Sequence, residues 1–369
     1  MSAPFDIFLV APPGLEAVLA EEARDKGFAD PRPVAGGVET RGDWPEVWRA
    51  NLALRGAARV LVRVAEFRAM HLAQLDKRAR KVDWAAVLRA DEPVKVEASC
   101  RKSRIYHAGA AAQRISRAIG ETLGCPISDE AKVVVKARID DDLCTISLDA
   151  TGEALHKRGH KPAVGKAPMR ENLAALLLRQ CGYDGTGPVV DPMCGSGTFP
   201  IEAAEIAAGL YPGRTRDFAF EHLAGFDPAR WQGMRAGAQV TMPEARFYGY
   251  DRDAGAIRSA TENAERAGVG AACIFARQAV SDLEPPEGPP GLVIVNPPYG
   301  ERIGNRKLLF SVYGALGKTL LDRFRGWRVG LVTSDGGLAK ATGLPWLPTE
   351  PPVAHGGLKI TLWRTDELR

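Results

Sequence analysis

The stretch from Pro188 to Ala207 constrains this 369-residue chain more than any other. A short apolar run, Pro188-Val189-Val190, leads into Asp191-Pro192-Met193-Cys194-Gly195-Ser196-Gly197, and Thr198-Phe199-Pro200-Ile201-Glu202-Ala203-Ala204 follows. The order reads as strand, glycine loop, helix. Val189 and Val190 suit a buried strand, and Gly195 and Gly197 suit a loop whose backbone must come close to something. Thr198 is the expected N-cap, with Pro200 in a first turn that tolerates proline. A helix N-terminus reached in this way presents free amide donors to an anion. Pro200 holds the place of the third glycine of the dinucleotide fingerprint, and no Lys-Ser/Thr pair follows. Nicotinamide binding and a triphosphate loop are both disfavoured. A structural turn in an α/β domain would use the same residue types.

A second stretch makes the first specific. Gly291-Leu292-Val293-Ile294-Val295 is apolar and ends in Asn296-Pro297-Pro298-Tyr299-Gly300. Asn-Pro alone is a turn dipeptide. An aromatic directly after two prolines, at the carboxyl end of a predicted parallel strand, stands where ligands bind in open α/β sheets. Together the two stretches resemble the class I S-adenosylmethionine-dependent methyltransferases that act on exocyclic amino groups. The resemblance implies an α/β, Rossmann-like domain with a mixed seven-stranded sheet. It implies S-adenosylmethionine as cofactor, held by Asp191, Met193, Cys194, Gly195, Gly197, Thr198, Asp251, Arg252 and Asn296. Asn296, Pro297, Pro298 and Tyr299 are then the catalytic residues that hold the target amine.

Asp251 ends Phe247-Tyr248-Gly249-Tyr250-Asp251, the expected second strand, where an acid accepts from two ribose hydroxyls. A helix N-cap is an equal use for it. Its separation from Asp191 far exceeds the usual spacing of about 20 residues, because residues 210–246 intervene. That segment is rich in Trp, Phe, Arg, Gly and Pro without a clear period, and reads as an insertion over the active face. After the third strand, Ala272 to Phe275, the resemblance expects an aspartate for the adenine amino group near position 279. Ala279 stands there, which leaves Gln278, Asp282 or backbone groups. Lys307–Phe324 reads as a long helix, Trp327–Thr333 as strand five, and Pro345–Ala354 with Leu358–Trp363 as a closing antiparallel pair turned at His355-Gly356-Gly357.

The charge of +4 is unevenly placed. Residues 1–170 carry 28 Lys+Arg against 23 Asp+Glu, or +5; residues 171–369 carry 21 against 22, or −1. That asymmetry fits an N-terminal part that meets a polyanion. Phe5–Val10, a helix over Gly14–Gly27, a strand broken at Gly36-Gly37, a helix over Trp44–Leu54 and a strand over Ala58–Phe67 suggest a ferredoxin-like α+β unit. The next unit carries Lys77, Arg78, Arg80 and Lys81, then Arg101, Lys102 and Arg104. Its expected elements are a strand at Val94–Ser99, a helix at Ala108–Leu123 and a hairpin turned at Asp140-Asp141-Asp142. Lys157, Arg158 and Lys161 follow. One charge run is usually a solvated face; the three together point to phosphate contact.

This second unit resembles a THUMP domain, an RNA-binding module fused to tRNA- and rRNA-modifying enzymes. Leu155–Ala175, with Asn296–Ile303, resembles the bacterial large-subunit rRNA guanine-N2 methyltransferases of RlmL-like type. The expected domains are ferredoxin-like over 1–68, THUMP over 69–152, a linker over 153–166 and methyltransferase over 167–369. The implied activity is methylation of the N2 amine of guanosine in rRNA. Alternatives are a tRNA guanine-N2 enzyme, a DNA adenine-N6 enzyme, and an RNA-binding assembly protein with an inactive methyltransferase fold. RNA is the expected partner of a monomeric enzyme. Six cysteines without CxxC or metal spacing predict reduced thiols and no metal in a cytoplasmic protein. No signal peptide or 18-residue apolar run is legible.

Overall fold

The structure is a computed structural model that describes residues 4–161, 169–237, 240–243, 246–299 and 306–369. The chain forms two compact units. Unit 1 comprises residues 1–11, 19–155 and 213–237; unit 2 comprises 12–18, 156–212 and 238–369.

The first half of the chain runs β1 (Phe5–Val10), α1 (Glu16–Asp25), β2 (Ala29–Val34), β3 (Gly37–Gly42), α2 (Trp44–Ala53), β4 (Arg59–Arg68), α3 (Leu72–Ala79), β5 (Val94–Arg101), α4 (Ala108–Leu123), β6 (Val133–Asp140) and β7 (Leu143–Asp149). Its seven strands make one sheet in the order β2-β3-β1-β4-β7-β6-β5. β4 pairs with β1 on one side and β7 on the other, so the divide expected at residue 68 falls inside a continuous sheet. In β4 Val60 and Val62 are buried on one face, and at the bulge between Arg63 and Ala65 the next alternate residue, Val64, is only partly buried. Asp141 and Asp142 both adopt positive φ (51° and 60°), the backbone of a two-residue hairpin turn. Asp43 caps α2 by accepting from the Glu46 amide (3.3 Å).

Residues 213–237 depart from the expected insertion over the active face: they belong to unit 1. The Ala219 and Phe220 amides donate to the Thr151 and Ala150 carbonyls, which ties the segment to the residues just past β7. Helix α7 (Pro228–Ala236) places Trp231 edge-on to Phe220 at 4.9 Å. Phe220 also stacks on Phe218 (5.2 Å) and on Trp48 of α2 (6.0 Å). The reason is burial: Trp48, Phe218, Phe220 and Trp231 are each at most 3% exposed, and each such ring removes a large apolar area from water.

Unit 2 adds α5 (Glu171–Gln180), β8 (Val189–Asp191), α6 (Thr198–Ala207), β9 (Phe247–Asp251), α8 (Ala254–Ala267), β10 (Cys273–Arg277), β11 (Leu292–Val295), α9 (Arg306–Arg323), β12 (Arg328–Thr333), α10 (Gly336–Ala341), β13 (Val353–His355) and β14 (Leu358–Arg364). The sheet order is β10-β9-β8-β11-β12-β14-β13, parallel as far as β12, with β14 and β13 antiparallel. β8 and β11 are buried at every position, as parallel strands covered on both faces must be. Leu309, Tyr313, Leu316 and Leu320 of α9 pack with Val293, Val295, Val329 and Leu331 in one core. No helix is long and apolar enough to cross a membrane, and no group of three or more His, Cys, Asp or Glu fit for a metal ion exists among the described residues. The six cysteines are unpaired with one another.

Phe220→Ala removes the ring at the centre of the aromatic cluster. Unit 1 is expected to lose about 3–5 kcal/mol in urea unfolding followed by tryptophan fluorescence; a loss under 1 kcal/mol would mean that the segment rests on unit 1 without holding it.

Candidate functional site

In unit 2 β8 lies between β9 and β11, all parallel, so the loops that leave their carboxyl ends open on one sheet edge. The strand order reverses between β8 and β11, which is where such sheets bind ligands. The loop after β8 is fixed from two sides. The Cys194 amide donates to the Tyr250 carbonyl (2.8 Å), and the Gly195 amide donates to Asp251 Oδ2 (3.1 Å). On the other side Asn263 Nδ2 of α8 donates to the Ser196 carbonyl (3.0 Å).

Asp251 is therefore a brace between the second strand and the glycine loop. Its Oδ1 accepts from the Asp253 amide (2.9 Å). The cap of α8 is Asp253, which accepts from the Gly255 amide (2.6 Å), and not Asp251. A carboxylate has about four lone-pair sites, so two amide donors leave room for two hydroxyls. Arg252 is exposed, and its carbonyl accepts from Arg277 Nε (3.0 Å).

Gly195 (φ 52°) and Gly197 (φ 82°) both sit in the left-handed region, but they face different surroundings. A Cβ on Gly197 would meet Ala260, Ile201 and Phe275 at 3.0–3.1 Å; on Gly195 it would meet nothing within 4 Å. The open side of the loop is at Gly195. Gly197 is the N-cap of α6, so Thr198 is the first helical residue and not the expected cap. The buried Thr198 hydroxyl accepts from Lys161 Nζ (2.5 Å). Met193 packs against the core of unit 2, as do Tyr248 and Tyr250. Under the loop, a Cβ on Gly249 would lie 2.5 Å from the Phe275 ring and 3.0 Å from Cys194 Sγ, so only glycine lets strand two approach this closely. Nothing in the sequence pattern singled out Gly249.

Two groups of the loop carry displaced acidities. Burial holds the Asp191 carboxyl well above its ordinary range against the opposing Met193 amide, with the charge of Asp251 adding to the rise. Burial likewise lifts the Cys194 thiol, which makes it an inert packing group.

The second motif follows β11. Asn296 is half-buried, and its Oδ1 is fully shielded with no hydrogen-bond partner among the described residues. Pro297 is buried, Pro298 exposed and Tyr299 half-buried against the core. Behind them, the hydroxyl of the fully buried Tyr313 lies 3.4 Å from the Pro298 carbonyl and 3.3 Å from Thr333 Oγ1. Burial pushes that phenol up to about 12. Gly300 to Ile303 of the resembling segment, and residues 162–168, lie outside the described residues.

At the expected adenine position Ala279 is exposed. The Gln278 side-chain amide donates to the Asp282 carbonyl (2.6 Å), while the Gln278 backbone amide donates to the Asp251 carbonyl (3.0 Å). The exposed Asp282 carboxylate accepts from Ser281 (3.1 Å).

The basic residues divide. Lys77, Arg78 and Lys81 are exposed at the end of α3, with Arg78 over the Phe67 ring at 5.9 Å. Arg101, Lys102, Arg104 and Lys157 are exposed. Arg80 is bound to Asp76 (2.8 Å) and Glu121 (2.7 Å), which offset its charge. The phosphate role expected of Arg158 and Lys161 does not fit their placement. The Arg158 side chain is 1% exposed and 3.4 Å from the equally buried Glu202. Lys161 is 3.2 Å from Glu171, itself buried. Their charges are matched inside unit 2, where they pin the segment before residue 162 to α5 and α6.

Asp191 generates a pH prediction. The folded state holds its proton more tightly than the unfolded chain does. Its contribution is present at low pH and is lost as pH rises from the ordinary value near 3.8 through the raised folded value. Asp191→Asn is expected to melt higher at pH 7 and to flatten that decline. A lower melting temperature at neutral pH would refute the buried-carboxyl account.

The comparisons with known proteins agree with this geometry. The sequence matches the RMKL-like methyltransferase domain over residues 158–346 and the RlmL ferredoxin-like domain over residues 6–61. A Synechocystis protein described as a candidate RNA methyltransferase is 32% identical over 365 residues, which is 96% of this chain and 94% of that protein. The ribosomal RNA large subunit methyltransferase K/L of Syntrophotalea carbinolica is 37% identical over 93% of this chain, and the chain spans about half (51%) of that longer relative. A solved candidate methyltransferase complexed with S-adenosylhomocysteine superposes with a TM-score of 0.91 at 28% identity, covering 100% of both chains. The chain belongs to the RMKL-like methyltransferase family and carries an RlmL ferredoxin-like domain at residues 6–61.

Proposed function

We propose that this protein methylates the exocyclic N2 amine of a guanosine in RNA, with large-subunit rRNA as the substrate class. The cofactor is S-adenosylmethionine. The loop fits it on three counts: an open side at Gly195, a fixed carboxylate at Asp251 with acceptor capacity left, and a position at the strand-order reversal. Asp191, Met193, Cys194, Gly195, Gly197, Thr198, Asp251, Arg252 and Asn296 are the residues proposed to line it. When bound, it supplies an electrophilic methyl group.

The observation that carries the reading is the shielded, unpartnered Asn296 Oδ1 beside Pro297, at the strand end next to the glycine loop. A buried acceptor without a donor costs about 1–3 kcal/mol, which an incoming N–H recovers. The lone pair of a guanine amine is delocalised into the ring. Accepting from its two hydrogens at Asn296 Oδ1 and the Pro297 carbonyl draws the nitrogen toward a tetrahedral, nucleophilic form. Pro297 and Pro298 stiffen the loop and remove competing amide donors. Tyr299 offers a face on which an unstacked base rests. The amine loses its proton after it becomes cationic, so positioning carries most of the rate.

The choice of RNA rests on unit 1, whose segment 69–152 we take as a THUMP domain. Lys77, Arg78, Lys81, Arg101, Lys102 and Arg104 are its exposed cations, and Lys157 follows it. Guanine, and a cytoplasmic location, rest on the RlmL-like resemblance alone; the large ribosomal subunit is supported also by the relatives described as ribosomal RNA large subunit methyltransferase K/L, of whose length this chain spans about half.

Three measurements test this. Asn296→Ala removes one of nine residues proposed to line the cofactor, so it is expected to weaken cofactor binding only a few-fold in calorimetry while turnover falls by at least about 100-fold, the scale of a lost positioning contact; Tyr299→Ala should lower both RNA affinity and turnover. Gly195→Val is strained at φ 52° but meets no neighbouring atom, so it should abolish cofactor binding and lower the melting temperature less than Gly197→Val, which adds a collision with Ala260 and Phe275 to the same backbone strain. Finally, nucleoside mass spectrometry of rRNA from a strain lacking the gene should show loss of N2-methylguanine. Unchanged N2-methylguanine with loss of N6-methyladenine from DNA would overturn the proposal in favour of the adenine enzyme.

A further inference from the structure

We infer that Tyr106 of unit 1 is a stacking platform for an unpaired RNA base. This rests on the reading of unit 1 as RNA-binding and names the contact that reads a base, where the cations read only phosphate. Tyr106 is 85% exposed, the most exposed of the large apolar side chains among the described residues. No ring or cation is stacked on it among those residues. It stands two positions from Arg104 and close to Arg101 and Lys102, all exposed. Met70, another exposed apolar side chain, lies 3.5 Å from the Arg104 guanidinium.

The loop that carries Tyr106 is fixed before any ligand arrives. Ser103 Oγ donates to the Arg101 carbonyl (2.6 Å) and accepts from the Asp142 amide (3.0 Å). The Arg104 amide donates to Asp142 Oδ1 (2.7 Å), and the Asp141 amide donates to the Arg101 carbonyl (3.2 Å). These bonds hold Lys102 at φ 45°, a conformation rare for a non-glycine residue. Ile105, 4% exposed, anchors the loop from below. On the far side His107 caps α4, accepting from the Ala110 amide (3.0 Å), so its ring is already engaged. An aromatic ring left mostly in water, on a hydrogen-bonded loop that also carries three exposed cations, has the parts of a single-strand nucleic-acid site: a π face for a base and charges for the flanking phosphates. Duplex RNA keeps its bases stacked inside and offers such a ring nothing.

The test separates stacking from charge. Full-length protein is titrated with a fluorescent single-stranded RNA and with a blunt RNA duplex, by anisotropy at several salt concentrations. Tyr106→Ala is expected to weaken single-strand binding by about 5- to 150-fold without changing the salt slope, because no counterion release is lost. Tyr106→Phe should bind like the parent, and duplex binding should be unaffected by either change. The triple change Arg101→Gln, Lys102→Gln and Arg104→Gln should flatten the slope instead. If Tyr106→Ala binds as the parent does while the triple variant flattens the slope, the stacking inference is overturned and the RNA reading stands. If neither alters binding, the RNA reading of this patch fails and the inference with it. The exposed position means that all variants should melt with the parent.

Discussion

The site depends on the placement of β8 between β9 and β11. Parallel pairing on both sides brings three loop origins to one edge, which no antiparallel neighbour would do. Each loop then constrains the next. Asp251 at the end of β9 takes the amide of Gly195, and the Tyr250 carbonyl takes that of Cys194, so the glycine loop cannot drift from the second strand. Asn263 fixes the loop from the opposite direction. Two of the loop's amides and one of its carbonyls are thereby satisfied by protein, and the side left open is the one at Gly195. The cradle is a consequence of strand order first and of residue type second.

Much of this was legible in the sequence because the signals were local. Val189-Val190 and Leu292–Val295 are short apolar runs that suit covered parallel strands, and each is followed at once by its motif. Asp140–Asp142 and Gly356-Gly357 announced hairpin turns by residue type alone. What was not legible was nonlocal. Nothing in the string says that Gly249 must admit Phe275, that Gly197 faces protein while Gly195 faces outward, or that Asp253 caps α8 and frees Asp251. Residues 213–237 have no period because Phe218, Phe220 and Trp231 are buried in a cluster with Trp48 of α2, far away in sequence.

Charge was the least reliable guide, for a definite reason. A cation in a sequence carries no mark of whether its partner is solvent, protein or ligand. Arg158 and Lys161 stand in the same basic run as Lys157. They meet Glu202 and Glu171 in the interior, where a matched pair is tolerated and a lone charge is not. Arg80 differs from Arg78 in the same way, through Asp76 and Glu121. The carboxylates sit on other helices or a turn away, and only folding reveals the match.

The aromatic cluster also has a consequence for synthesis. Trp48 and the strand β7 emerge from the ribosome early, but Phe218, Phe220 and Trp231 follow only after β8 and α6 of the other unit. At about 5–20 residues per second, the 76 residues from 155 to 231 take about 4–15 s to be made. Throughout that interval the nascent first unit is one wall short, with an indole face open to water. The two halves cannot mature in sequence like beads on a string. The later one must already be partly translated before the earlier one can close, and a chaperone that binds apolar surface would find its target in that gap.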